Sequence, residues 1–183
     1  DPEKAYPLTP LIEFCHTASL VHDDIEDKSD TRRGAPAAHI KYGLDTALNS
    51  ASWLYFEALT PLINYEVSES VRAEIYSFYS QNLRRLHLGQ SMDIGWHSNP
   101  DIIPSVDEYI TMISLKTGSL AKLAGELGFI AAGRPINEVL EYGKLMTDMG
   151  IGFQILDDVK NITEGNAGKR RGDDMLKAKK AFL

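Results

Sequence analysis

Two stretches of this sequence, "LVHDDIED" at 20–27 and "FQILDDVKN" at 153–161, set paired aspartates into otherwise apolar segments. On an α-helix Asp23 and Asp27 lie one turn apart and share a face, with Asp24 on the same rim. Asp157 and Asp158 repeat the pattern, with Asn161 at the four-residue step. Bare carboxylates this close repel, and each such pair costs a helix about 0.2–0.5 kcal/mol. A solvated acidic face would account for either cluster alone. Two of them, about 130 residues apart in one chain, are better explained if the fold brings them face to face across a helical bundle, as metal sites in bundle cores are built.

The rest of the chain reads as helix nearly throughout. A first helix is expected from about Leu8 to Lys28, followed by a loop at Gly34 and Pro36. "HIKYGLDTALNSASWLYFEALTPL" is expected to form a second, stopping before Pro61. In the third, Val67, Val71, Ile75, Phe78, Tyr79, Leu83 and Leu86 recur at three- and four-residue steps and make one apolar stripe. Ser105 with Glu108 three residues on is a capping-box pattern that starts the fourth, which Lys116 and Thr117 interrupt. The fifth has Pro135 near its first turn and is expected to reach about Asn161. No strand, repeat or low-complexity tract is expected. Long helices joined by short loops imply an all-α, antiparallel bundle. The chain opens in the run-up to a helix, and "KAKKAFL" carries no stop signal. Residues 1–183 are therefore expected to be one domain, incomplete at both ends.

Composition excludes several classes of function. A net charge of -7 disfavours nucleic-acid binding. Cys15 is the single cysteine, so no internal disulfide can form, which fits a reducing cytoplasm. The most apolar stretch, "LAKLAGELGFIAAG", is broken by Lys122 and Glu126 and is too short to span a bilayer. Ile25 and Lys28 break an EF-hand register, Arg170 stands where a P-loop needs Ser or Thr, and "GIGFQI" lacks the third glycine of a dinucleotide turn. His16, His22, His39, His87 and His97 show no zinc spacing.

Cations follow both acid clusters: Arg32 and Arg33 after the first, Lys169, Arg170 and Arg171 after the second. Guanidinium forks suit phosphate oxygens, and lysine acts as a point charge. Magnesium takes oxygen ligands and is commonly held by a few carboxylates together with substrate phosphate. Acid clusters ringed by cations therefore point to a diphosphate, although surface salt bridges would explain any one of the cations.

Taken in order, "LVHDDIEDKSDTRRG", "GQSMD", "LKTGSL", "FQILDDVKN" and "GKRRGDD" resemble the successive motifs of the trans-isoprenyl diphosphate synthases, the polyprenyl synthetase family. The nearest likeness is to its geranylgeranyl diphosphate synthases. The resemblance implies the isoprenoid synthase bundle around a central cavity. The family's N-terminal helices, and the part beyond "KAKKAFL", are absent. It further implies a cytoplasmic homodimer that condenses isopentenyl diphosphate head-to-tail with an allylic diphosphate, yielding a lipophilic product able to reach membranes. Asp23, Asp27 and Asp157 would bind magnesium, about three ions in all, with Asp24 and Asp158 binding directly or through water. Arg32, Lys116, Lys169 and Lys179 would hold the allylic diphosphate, and Arg33 the isopentenyl diphosphate. Thr117 and Gln154 would contact the allylic head, while Gln90 and Asp93 line or brace the cavity. Two other classes share part of this pattern: a class I terpene cyclase, which has no need of the Arg32–Arg33 pair, and a non-catalytic prenyl-diphosphate-binding subunit, which need not keep intact acid clusters. Chain length should be read from the residues before Asp23. Ala18, Ser19 and Cys15 are small, so the prenyl tail is expected to pass them and reach geranylgeranyl length or more.

Overall fold

The computed structural model describes residues 2–99 and 101–164. After a short helix α1 (Pro2–Ala5) and a 3₁₀ turn, α2 runs Thr9–Glu26. It ends two residues earlier than expected because Lys28 takes a left-handed φ of 52°, the usual way of terminating a helix. Asp27 still closes the last turn, its N–H donating to the Asp23 carbonyl at 2.8 Å.

The expected strandless loop contains one small hairpin, β1 (Thr31–Arg32) and β2 (Ala35–Pro36), with Arg32 opposite Ala35. Its two turn residues, Arg33 and Gly34, both have positive φ, 53° and 78°. That is the type I′ geometry that suits the strand twist. Strands of two residues carry no readable alternation, and arginine is not a usual turn residue, so the hairpin leaves little trace in the residue pattern.

The expected second helix is two: α3 (Ala38–Tyr42) and α4 (Leu44–Glu57), separated by Gly43 at φ 90°. A 3₁₀ turn at Thr60–Ile63 follows. Then α5 (Glu69–His97), α6 (Val106–Lys116), α7 (Gly118–Ala131) and α8 (Ile136–Thr163) complete the described fold. The capping box at the start of α6 is present in full, Ser105 and Glu108 each satisfying the other's backbone N–H.

These helices pack as an antiparallel bundle. Along α7 and α8 the facing pairs run in opposite order: Gly118 meets Gly150 and Thr147, and Glu126 meets Gly143. A side chain at Gly150 would bring its Cβ to 2.9 Å from the Gly118 Cα, so the two backbones touch. The same holds between α5 and the α6–α7 junction, where a Cβ on Gly89 would lie 2.4 Å from the Lys116 nitrogen. The main core joins α2, α4, α5, α7 and the start of α8 through Leu11, Cys15, Tyr55, Ile75, Tyr79, Leu123 and Val139. A second cluster, Trp96, Tyr109, Met112 and Ile113, ties α6 to α5 and α8.

A buried polar pair, Glu126 and Asn82, lies between α7 and α5. Glu126 has no exposed surface. Asn82 Nδ2 donates to its Oε2 at 2.7 Å, and Lys122 Nζ lies 3.5 Å from its Oε1. Burial pushes the Glu126 carboxyl above its ordinary value, outweighing Lys122, Asn82 and Arg85, which favour the anion. A carboxyl whose folded pKa is raised stabilises the fold fully below its unfolded value near 4.5. That contribution is lost as pH rises through the folded value. Glu126→Gln should therefore be more stable than the parent at pH 8 and no more stable at pH 4. Urea denaturation at the two pH values checks this; a constant stability difference between the two chains would contradict it.

Candidate functional site

A cavity of about 1110 Å³ opens between α2, α5, α6, α7 and α8. Asp23, Asp24, Glu26 and Asp27 line one side of it and Asp157 and Asp158 the other, with Arg32, Arg33, Lys116, Thr117, Gln154, Gln90 and Asp93 on the same wall. Of the residues singled out in the sequence for acid, cation and head-group roles, Lys169, Arg170, Arg171 and Lys179 lie outside the described residues. Asp23, Asp24, Asp27, Asp157, Asp158, Arg32, Arg33, Lys116, Thr117, Gln154, Gln90 and Asp93 all line this one cavity.

The wall changes character along each helix. On α2, Ile12, His16 and Ser19 line the cavity at successive turns below Asp23, a run of about 16 Å at 1.5 Å per residue. Beyond Lys116, Leu120 and Ala124 follow on α7; ahead of Asp157 on α8 come Phe153, Gly150, Met149 and Met146. Polar groups gather at one end and apolar ones extend from it. Among the apolar residues, His22 stacks on Tyr55 and His87 meets the same ring edge-on, at centroid distances of 5.7 and 5.1 Å. Burial is the main cause that lowers the pKa of both His16 and His87. Both imidazoles are thus held in their neutral form at neutral pH.

The chain-length residues divide. Ser19 lines the cavity, whereas Ala18 and Cys15 are buried in the main core and are absent from the cavity wall. Burial pushes the Cys15 thiol up to about 12. A helix turns 100° per residue, so Ala18 points away from the face that Ser19 and Leu20 present to the cavity and into the core instead. Asn161, the last member of the second acid pattern, is 1% exposed and does not line the cavity either.

The first acid cluster is held by cations. The Arg32 Nη2 donates to Asp24 Oδ1 at 2.6 Å and to Asp23 Oδ2 at 3.1 Å, and its Nε reaches Asp24 at 3.0 Å. Lys116 Nζ bridges Asp23 Oδ1 at 3.1 Å and Asp93 Oδ2 at 2.6 Å. Gln90 Nε2 donates to Glu26 at 2.6 Å and to Asp23 at 3.3 Å. In the second cluster, Asp158 accepts from the Tyr109 hydroxyl at 2.5 Å and from Gln154 Nε2 at 2.9 Å, while Thr117 donates to Gln154 Oε1 at 2.7 Å. Tyr109 escaped the sequence reading. Its one available signal was the seven-residue spacing to Lys116, which puts both on one helix face.

The donor set suits a hard cation. Its side-chain ligands are carboxylate oxygens, the kind magnesium takes. Among the described residues no three such groups converge on one point. A magnesium site shared with substrate phosphate needs only one or two carboxylates from the protein, so the residues present fit one.

A model of the polyprenyl synthetase family matches residues 1–183, and the chain belongs to that family. It is 37% identical over 174 residues to geranylgeranyl pyrophosphate synthase 2 of Zymoseptoria tritici, covering 94% of this chain and 50% of that protein. It is 34% identical over 186 residues to geranylgeranyl diphosphate synthase of Sulfolobus acidocaldarius, covering 99% and 56%. Among solved structures, geranylgeranyl pyrophosphate synthetase from Pyrococcus horikoshii superposes with a TM-score of 0.90 at 32% identity, covering 99% of this chain and 55% of that one. A Helicobacter pylori geranyltransferase complexed with magnesium and isoprenyl diphosphate superposes at 0.84 with 27% identity, covering 97% and 59%. The chain thus spans about half the length of the curated relatives it matches. The likeness bears out the isoprenoid synthase bundle expected from the sequence.

Arg32 does structural work here whatever else it binds. Asp24 is 3% exposed, and a buried carboxylate stripped of its partner costs about 3–5 kcal/mol. Arg32→Met should lose stability on that scale, and Arg32→Met with Asp24→Asn should recover most of it. Chemical denaturation of the three chains checks this, and equal losses in the single and double variants would refute it.

Proposed function

We propose that this member of the polyprenyl synthetase family elongates prenyl diphosphates, condensing isopentenyl diphosphate head-to-tail with an allylic diphosphate. The observation that carries the reading is the two-ended cavity: acids and cations gather at one end, and an apolar channel leads away from them. A diphosphate on a hydrocarbon tail has the same division.

In this reading Arg32, Lys116, Lys169 and Lys179 bind the allylic diphosphate, and Arg33, at the tip of its hairpin, binds the isopentenyl diphosphate. Thr117 and Gln154, hydrogen-bonded to each other, orient the allylic head. Asp23, Asp27 and Asp157 hold magnesium, with Asp24 and Asp158 supporting them. About three ions, when bound, offset the negative charge that develops on the departing diphosphate. The allylic carbon–oxygen bond breaks, the double bond of isopentenyl diphosphate attacks the allylic cation to form the new carbon–carbon bond, and the departing diphosphate takes up the released proton. Preplaced cations stabilise the leaving charge most where water is scarce. The neutral imidazoles and apolar wall keep water and competing charge from the tail.

The chain is proposed to act as a single cytoplasmic domain within a homodimer. Exposed Trp53 and Phe56, neighbours at a three-residue step on α4, offer apolar surface for that pairing. Among the described residues no helix is long and apolar enough to cross a membrane.

Turnover tests the chemistry. Asp23→Ala or Asp157→Ala should lower the rate of product formation from isopentenyl and allylic diphosphates by ~10²–10³, the usual cost of losing one stabiliser of developing negative charge. Helix content should be unchanged. Parental turnover in either variant would overturn the two-cluster reading. A cyclic product would point instead to a terpene cyclase, and no product from the parent to a non-catalytic subunit.

Product length tests the channel, which is proposed to admit a chain of geranylgeranyl length or more. Ser19→Phe places a ring across the wall one turn below Asp23 and should shorten the main product. Ala18→Phe overfills a core site that is 0% exposed. It should act chiefly on stability, lowering it by about 1–3 kcal/mol. Chromatography of the dephosphorylated products, alongside thermal melts, separates the two effects. An unchanged product profile in Ser19→Phe would place the limiting contact on another helix.

A further inference from the structure

Helix α6 touches both acid clusters. Its last residue, Lys116, bridges Asp23 and Asp93. Two turns earlier, Tyr109 is 3% exposed, and its hydroxyl donates to Asp158 Oδ2 at 2.5 Å. The other oxygen of Asp158 accepts from Gln154, which accepts in turn from Thr117 at the start of α7. Both carboxylate oxygens are thus engaged by donors on fixed supports. The Tyr109 ring is packed with Trp96, Met112 and Ile113, and Thr117 is the hinge between α6 and α7. Asp158 itself is 8% exposed, while Asp157 beside it is partly exposed on the cavity wall.

We infer that Tyr109 is a positioning residue for the second acid cluster. Its hydroxyl anchors the Asp158 carboxylate and so fixes the rotation of α8 about its axis, which sets the direction in which Asp157 presents its own carboxylate to a divalent cation. Asp157 and Asp158 are successive residues, so a helix that turns about its axis to relax Asp158 must carry Asp157 with it. Groups that hydrogen-bond to metal-binding carboxylates commonly tune metal affinity by 10- to 100-fold without touching the metal. Tyr109 meets that description from a helix that also carries the lysine of the first cluster. The inference rests on the metal-dependent reading above.

The test is Tyr109→Phe in the full chain, which keeps the ring and removes the hydroxyl. Mn²⁺ is titrated in the presence of a thiolodiphosphate analogue of the allylic substrate that does not ionise. Binding is read by electron paramagnetic resonance as loss of the free-ion signal, against the analogue alone. Trp96→Phe serves as a packing control, because it loosens the same cluster but leaves the hydroxyl in place. Tyr109→Phe should weaken Mn²⁺ binding about 10- to 100-fold with its melting temperature near the parent's. Trp96→Phe should melt lower while binding Mn²⁺ as the parent does. Equal Mn²⁺ affinity in the parent and Tyr109→Phe would overturn the inference. So would equal weakening in the two variants, or failure of Tyr109→Phe to fold, since either assigns Tyr109 to packing. A parent chain that binds no Mn²⁺ would instead overturn the metal-dependent reading itself.

Discussion

The fold depends on keeping ionised carboxylates together where water is scarce. Asp24 is almost fully buried, and Asp23 beside it is partly buried, its side chain 17% exposed. Left alone, such groups would be strongly unfavourable. Arg32 reaches back from the hairpin to cover them, and Lys116 arrives from across the cavity. Neither cation is local to α2, so the acids find these partners only when the hairpin and α6 are in place. The chain between Asp27 and Thr31 returns Arg32 to the helix it has just left. Arg33, next in the chain, takes a positive φ, unusual for a residue with a side chain, in the turn that closes the hairpin.

Lys116 can meet Asp23 only if α6 ends close to α5 and α2. Gly89 permits that, since any side chain there would collide with the Lys116 backbone. One turn on, Asp93 takes the other side of the same ammonium. On α8 the contact of Gly150 with Gly118 brings Gln154 within reach of Thr117. The glycines are thus part of the site's geometry although none of their atoms need meet a ligand. Close backbone contact trades side-chain burial for placement, and the apolar clusters on either side of the cavity supply the burial that is lost.

The acid and cation residues were legible in the sequence because their chemistry is unusual for an apolar helix. Asp23, Asp27, Asp157 and Lys116 announce themselves by type and spacing. The long helices were legible for the same reason, through the stripe on α5 and the capping box of α6. What could not be read was direction. Ala18, Ser19 and Cys15 look alike as small residues, yet only Ser19 faces the cavity. Their facing depends on the roll of α2, which is set by Tyr55 and the rest of the core at long range. Tyr109 reads as a core aromatic because its ring is one; its hydroxyl acquires a partner only when α8 packs against α6. The break at Gly43 was a local signal passed over inside an otherwise periodic run, and the hairpin had too few residues to show a period.

The two ends of the cavity place opposite demands on one set of helices, and the bundle meets them by position along each helix. Near Asp23 and Asp158 the wall residues Arg32, Lys116, Asp93, Gln90, Thr117, Gln154 and Tyr109 make charged or directional contacts, which order the polar end before anything binds. Toward Ile12 and Met146 the wall turns apolar, and burial lowers the pKa of His16 and His87 there. The acids of α2 and α8 both lie toward the C-terminal ends of their helices and line the same cavity. Helices α6 and α7 run antiparallel to α8, from Tyr109 at Asp158 through Thr117 at Gln154 to Glu126 at Gly143. The C-terminal end of α2 places partial negative charge at its last turn, where Asp23, Asp24 and Glu26 already repel one another. Its dipole therefore adds to the demand for cations at that end.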